Sequence, residues 1–154
     1  MAGVAVTAVV PGACPDRVFA AVADFAAYPR HTDAVREVVV RSAGESVGGA
    51  AGGAMESDWE VNFRNGVLAW TERDVVDAGL RRIAFEQLDG DFAVFTGSWL
   101  VEADGDGSLV TFEASFDLGM PSLAPMIDPI AERALADSVR AIIGGLLGPA
   151  VTFR

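Results

Sequence analysis

The chain has no lysine, one cysteine and one histidine. With Cys14 alone, an internal disulfide is excluded, and with His31 as the only histidine a structural zinc site lacks its usual ligands. All 11 basic residues are arginines, set against 22 acidic ones, for a net charge of −11. An acidic chain without a basic cluster is a poor partner for nucleic acid, because phosphate contacts supply most of that affinity. The same charge disfavours an anionic membrane surface. No apolar run approaches the ~18 residues of a membrane span. The N-terminal MAGVAVTAVV lacks the basic start of a signal peptide, so a cytoplasmic protein is expected. No GxSxG nucleophile turn is present, and the glycine-rich stretch Gly44–Gly53 lacks the lysine of a phosphate loop.

What is abundant is apolar sequence, 51% of 154 residues. That length suits one domain, residues 1–154, with a substantial core. An internal apolar cavity is one use for the excess. The last third carries a long amphipathic helix. Three prolines, Pro121, Pro125 and Pro129, precede IAERALADSVRAIIGGLLG. Asp128 before Pro129 reads as an N-cap with proline at the first helical position, so the helix is expected over Asp128–Leu147. Ile127, Ile130, Ala134, Ser138, Ala141 and Ile142 recur at helical spacing as its apolar side.

Upstream, almost everything reads as strand. Val4 to Val10 is a short strand, and Pro15 to Phe19 starts a helix with Val18, Phe19 and Val22 buried. Phe25 to Pro29 is a second short helix or turn, and Ala34 to Arg41 a valine-rich strand. Gly44–Gly53 is a long hairpin connection or a mobile rim at a cavity mouth. Asn65-Gly66 is the strongest short hairpin signal. A two-residue turn there sets Val61 opposite Trp70, Trp59 opposite Glu72 and Asp58 opposite Arg73. Trp59, Val61, Phe63, Leu68 and Trp70 then share an inward face. Three further strands follow, Leu80–Leu88, Phe92–Glu102 and Leu109–Asp117. Asp104-Gly105-Asp106-Gly107 lacks the remaining ligands of a calcium loop and reads as a plain turn.

Three stretches carry a resemblance: Pro15-Asp16-Arg17-Val18-Phe19 leading to Tyr28-Pro29; Leu68-Ala69-Trp70-Thr71-Glu72-Arg73-Asp74; and Asp89-Gly90-Asp91-Phe92 with Gly97-Ser98-Trp99. With the element order, they resemble the START-like (SRPBCC, Bet v 1-like) superfamily, in the branch of polyketide cyclases and coenzyme Q-binding proteins. The resemblance implies an α+β helix-grip fold: a seven-stranded antiparallel sheet wrapped around a long C-terminal helix, with two short helices after strand 1. It also implies a deep apolar cavity, expected at several hundred Å³, the scale of small-molecule sites.

The resemblance implies that Arg73 lines the cavity and contacts substrate oxygens. There it would polarise a ketone and stabilise an enolate. Strict alternation instead puts Arg73 on the polar face and turns Glu72 inward, as a general base with a raised pKa. A bulge between Gly66 and Arg73 would exchange the two, and both stand as catalytic candidates. The expected ligand-binding residues are Tyr28, Trp59, Phe63, Trp70, Phe85, Phe95, Trp99, Phe112, Met126, Ile130 and Ala134. His31 at a cavity edge and Cys14 at a helix start read more simply as ordinary loop residues.

Three functions follow. The first is a polyketide cyclase or aromatase in antibiotic biosynthesis, directing aldol cyclisation and dehydration without metal or redox cofactor. The second is a carrier of a quinone, lipid or polyketide. The third, a ribosome-associated factor, is opposed by the charge. The expected partner is a hydrophobic small molecule, with an acyl carrier protein as one route of delivery. Nucleic acid and membrane are not expected, and the chain would be a monomer or homodimer. An inward arginine or carboxylate favours the enzyme, a wholly apolar cavity the carrier.

Overall fold

The computed structural model describes residues 1–42, 52–64 and 66–154. One antiparallel sheet holds all the strands. They are β1 (Ala2–Val10), β2 (Val35–Ser42), β3 (Gly52–Phe63), β4 (Gly66–Asp77), β5 (Arg82–Gly90), β6 (Val94–Asp104), β7 (Gly107–Asp117) and β8 (Thr152–Phe153). Their order across the sheet is β2-β3-β4-β5-β6-β7-β1-β8. Each strand from β2 to β7 pairs antiparallel with the next, and β1 closes beside β7 over its whole length. The eighth strand exceeds the expected seven. It is a two-residue return after the C-terminal helix, pairing with Ala8 and Val9.

Between β1 and β2 lie α1 (Pro15–Ala23), a single 3₁₀ turn (Phe25–Ala27) and α2 (Tyr28–His31). Pro29 falls inside the first turn of α2, where no N–H is needed. The long helix α3 (Ala124–Leu147) packs along β1 and reaches β3, α1 and α2. Gly145 lets α3 meet α2 closely: a Cβ there would stand 2.1 Å from the His31 carbonyl oxygen.

Two expectations about α3 are corrected. It begins at Ala124 with Pro125 in its first turn, so Asp128 is not its N-cap and Pro129 lies inside it. Its buried stripe is Ala131, Leu135, Val139, Ile142 and Ile143. The predicted stripe is thus rotated by about one residue, or ~100°.

The β3–β4 hairpin also differs from its expected register. Phe63 pairs with Gly66, Trp59 with Trp70, Asp58 with Thr71 and Glu56 with Arg73. Arg64 takes the positive φ of 56° in the turn, while Asn65 lies outside the described residues. The register moves by two, so every side chain keeps its face. The glycine-rich segment read as a mouth loop likewise lies outside the described residues, except Gly52 and Gly53, which open β3. Asp104 pairs with Gly107 across an ordinary hairpin turn.

The core fills the concave side of the sheet beneath α3. Val4, Ile83, Phe85, Trp99, Val110, Phe112 and Phe116 alternate inward along their strands and pack with the α3 stripe. Gly97 makes room on this face. A Cβ there would meet the Glu113 carbonyl oxygen at 2.1 Å and the Phe85 ring at 2.7 Å.

Candidate functional site: an aromatic cavity with one inward carboxyl group

Alternation along five strands places aromatic residues on the concave face, and α2 adds Tyr28 from the side. The rings meet in a closed circuit. Tyr28 contacts Trp59 and Trp99; Trp59 stacks on Trp70 at 5.9 Å; Trp70 meets Phe95; Phe85 bridges Phe95 and Phe112; Phe112 returns to Trp99. These seven rings line a cavity with Val4, Val61, Ala114 and Glu72 from the sheet and Leu135, Ser138, Val139 and Ile142 from α3.

The cavity volume is about 60 Å³. That is room for a few water molecules, not the several hundred Å³ expected. The aromatic rings that were to line an open space instead pack against one another. A larger ligand enters only if these walls move apart.

Seven of the expected ligand-binding residues stand in the wall: Tyr28, Trp59, Trp70, Phe85, Phe95, Trp99 and Phe112. Four do not. Phe63 is half-buried near the hairpin turn. Met126 is 73% exposed and Ile130 49% exposed. Ile130 and Ala134 line a separate surface groove with Arg64, Pro129, Arg133 and Asp137. These last three placements follow from the rotation and earlier start of α3. His31 is exposed at the end of α2, and Cys14 is an exposed free thiol before α1.

The structure separates the two catalytic candidates. Trp70, Glu72 and Asp74 are all buried, so β4 alternates without interruption and Glu72 faces the cavity. Arg73 is exposed on the outer face, paired in register with Glu56 on β3 and Glu86 on β5. The expected inward arginine is thereby corrected. A register shift does occur beside Thr71 and Glu72, but the extra residue, Leu88, belongs to β5, and β4 keeps its phase. Asp58 is engaged by Arg41 and Thr71 rather than Arg73.

Glu72 is only 3% exposed. The Trp70 indole N–H donates to its Oε1 at 2.7 Å. Burial, then the hydrogen bond to Asp74 and its negative charge, push the Glu72 pKa well above the ordinary carboxylate range, while the indole bond pulls the other way. Its partner Asp74 is fully buried, and Ser57 Oγ donates to Asp74 Oδ2 at 2.6 Å. The Trp59 indole donates in turn to Ser57 Oγ at 2.8 Å. Burial raises the Asp74 pKa too, opposed by the bonds from Glu72 and Ser57. The Tyr28 hydroxyl donates to the Val22 carbonyl at 2.5 Å, and burial followed by the charges of Glu72 and Asp74 raises its pKa well above normal.

Sequence reasoning passed over Ser57, Asp74, Leu135 and Val139. Ser57 and Asp74 share the parity of Trp59 and Glu72, and that parity is the signal that would have found them. Such a buried acid among aromatic rings, its pKa raised by burial, is placed to give or take a proton.

Comparison with known proteins agrees with this architecture. None of the curated proteins matches the chain. Among solved structures, TTHA0849 from Thermus thermophilus superposes with a TM-score of 0.78 at 21% identity, covering 94% of this chain and 93% of that one. The ZhuI aromatase/cyclase from Streptomyces sp. R1128 gives 0.75 at 19% identity, covering 96% and 92%. A START superfamily protein from Mycobacterium smegmatis gives 0.73 at 17%, covering 95% and 97%. At these identities the likeness is one of fold. Residues 12–143 match the family described as polyketide cyclase / dehydrase and lipid transport, and the chain belongs to that family.

Proposed function

We propose that this protein is a polyketide cyclase/aromatase-like enzyme. It holds a hydrophobic poly-ketone in the aromatic cavity and directs aldol cyclisation and dehydration, with Glu72 moving the proton. The observation that carries this reading is Glu72 itself, the one carboxyl group among the described residues that line the cavity. The family description and the aromatase/cyclase among the solved structures of the same fold support it.

A methylene between two carbonyls loses a proton to a base, and the resulting enolate attacks a second ketone. Loss of water then needs an acid at the departing hydroxyl. A carboxyl group whose pKa is raised by burial serves both steps. The aromatic walls hold the chain in a folded shape, and that positioning supplies much of the rate.

A second reading, a carrier of a quinone, lipid or polyketide, draws on the other polar groups of the wall. The hydroxyls of Tyr28 and Ser138 are already bonded to the carbonyls of Val22 and Ala134. Glu72 apart, the lining then offers a ligand almost nothing but apolar surface.

Turnover of a poly-ketone substrate, beside a titration with its reduced analogue, separates the readings. Glu72→Gln should slow cyclisation by about a hundredfold or more while still binding the analogue. Parent-like turnover in Glu72→Gln removes the catalytic role. Binding without product in the parent protein leaves the carrier.

A further inference from the structure

Asp74 Oδ1 is the one buried side-chain oxygen or nitrogen without a hydrogen-bond partner among the described residues. A carboxylate oxygen buried without a donor is costly, and the other oxygen, Oδ2, is held by Ser57 at 2.6 Å. The adjacent group on the same face of β4 is Glu72, also a carboxyl. Two ionised carboxylates have no proton to share, whereas one that keeps its proton supplies the donor that Oδ1 lacks. Glu72 is the neighbour that can donate once it carries a proton: its Oε1 accepts from Trp70, which leaves the other oxygen for the bond to Asp74.

We propose that Glu72 and Asp74 hold one proton between them and work as a proton-relaying pair, with Asp74 as the positioning residue. The relay in turnover rests on the cyclase reading above; the shared proton does not. As a substrate C–H proton passes to Glu72, the Glu72 O–H bond breaks toward Asp74 and a new O–H bond forms at Asp74 Oδ1. The pair then holds two protons and the substrate is an enolate. The enolate adds to the ketone, the alkoxide takes a proton back through Glu72, and the pair returns to one.

The groups facing the pair are few. Ser57 and Trp59 come from β3, Trp70 from β4, and Phe85 and Gln87 lie opposite on β5. The Gln87 amide is occupied by the Phe92 backbone. From α2 comes the Tyr28 phenol, which also feels Asp24. Among the described residues none of these groups is cationic, so a proton is what relieves the repulsion between the two carboxyls.

The test follows the infrared carbonyl band of protonated carboxyl groups against pH, on the full chain. The parent should keep one such band above the ordinary carboxylate range, and Glu72→Gln should remove it. Asp74→Asn should lower its midpoint by about one pH unit or more, the coupling expected of a shared proton. Ser57→Ala keeps both carboxyls and takes a donor from Asp74; it should raise the midpoint, and it serves if Asp74→Asn does not fold. A midpoint unmoved by these changes overturns the shared proton. With a poly-ketone, Asp74→Asn should lower kcat with little change in KM and move the pH–rate limb with the infrared midpoint. Parent kcat with an unmoved limb overturns the relay. Should the parent give no product while the infrared midpoint still moves, the cyclase reading fails and the shared proton stands.

Discussion

At the scale of single residues, the site depends on which way two neighbours on β4 point. Glu72 and Arg73 differ by one position and face opposite sides of the sheet. Folding raises the Glu72 pKa, so the native state binds more protons than the unfolded chain in the window above the ordinary carboxylate value. The Glu72 contribution to stability is therefore fully present below that value and is lost as pH rises through the raised one. Each pH unit of elevation corresponds to about 1.4 kcal/mol. Glu72→Gln should flatten the stability–pH curve above the ordinary carboxylate value, read from denaturant midpoints. A curve of parent steepness would show that the carboxyl is ionised in the fold at no cost. Arg73 lies outside the cavity, opposite the carboxylates of Glu56 and Glu86. Arg73→Gln should leave ligand affinity and turnover unchanged and alter stability by about 0–1 kcal/mol. A strong loss of turnover would mean that Arg73 reaches the ligand after all.

At the scale of elements, strand phase was legible in the sequence and helix phase was not. Alternation needs only parity, and parity survived even though the hairpin register was displaced by two. Trp59, Trp70, Phe85, Phe95, Trp99 and Phe112 accordingly face inward as read. The displacement arose because Arg64, not Gly66, adopts the left-handed turn conformation; an arginine carries no sequence signal for that. In α3 apolar residues occur on several sides, among them Ile127, Ile130, Ala131, Ala134, Leu135, Ile142 and Ile143. Periodicity alone then admits two phases one residue apart, and only packing against β1 selects between them. The small volume of the cavity was not legible either, because the stacking of Trp59 on Trp70 is a tertiary contact. Between elements, β6 approaches β7 closely at Gly97. Gly97→Ala should destabilise by about 1–3 kcal/mol, visible as a lower denaturant midpoint, because the Glu113 carbonyl is fixed in the sheet ladder. Parent stability would show that the strands part there at no cost.

At the scale of the molecule, a curved sheet grips one helix, and Glu72 is the carboxyl group that the described cavity wall places between them. No helix among the described residues is long and apolar enough to cross a membrane. All three tryptophans of the chain, Trp59, Trp70 and Trp99, stand in the cavity wall. Intrinsic fluorescence therefore reports from the site and from nowhere else in the protein. The most direct test is a fluorescence titration with the reduced poly-ketone analogue in the parent, in Ser138→Phe and in Ala134→Phe, with circular dichroism confirming the fold of each. Ser138 lines the cavity and Ala134 the separate groove. The expected result is a saturable change in the parent, retained in Ala134→Phe and lost in Ser138→Phe. Parent-like binding by a folded Ser138→Phe protein, or no saturable change in the parent, would contradict the assignment of the cavity as the ligand site.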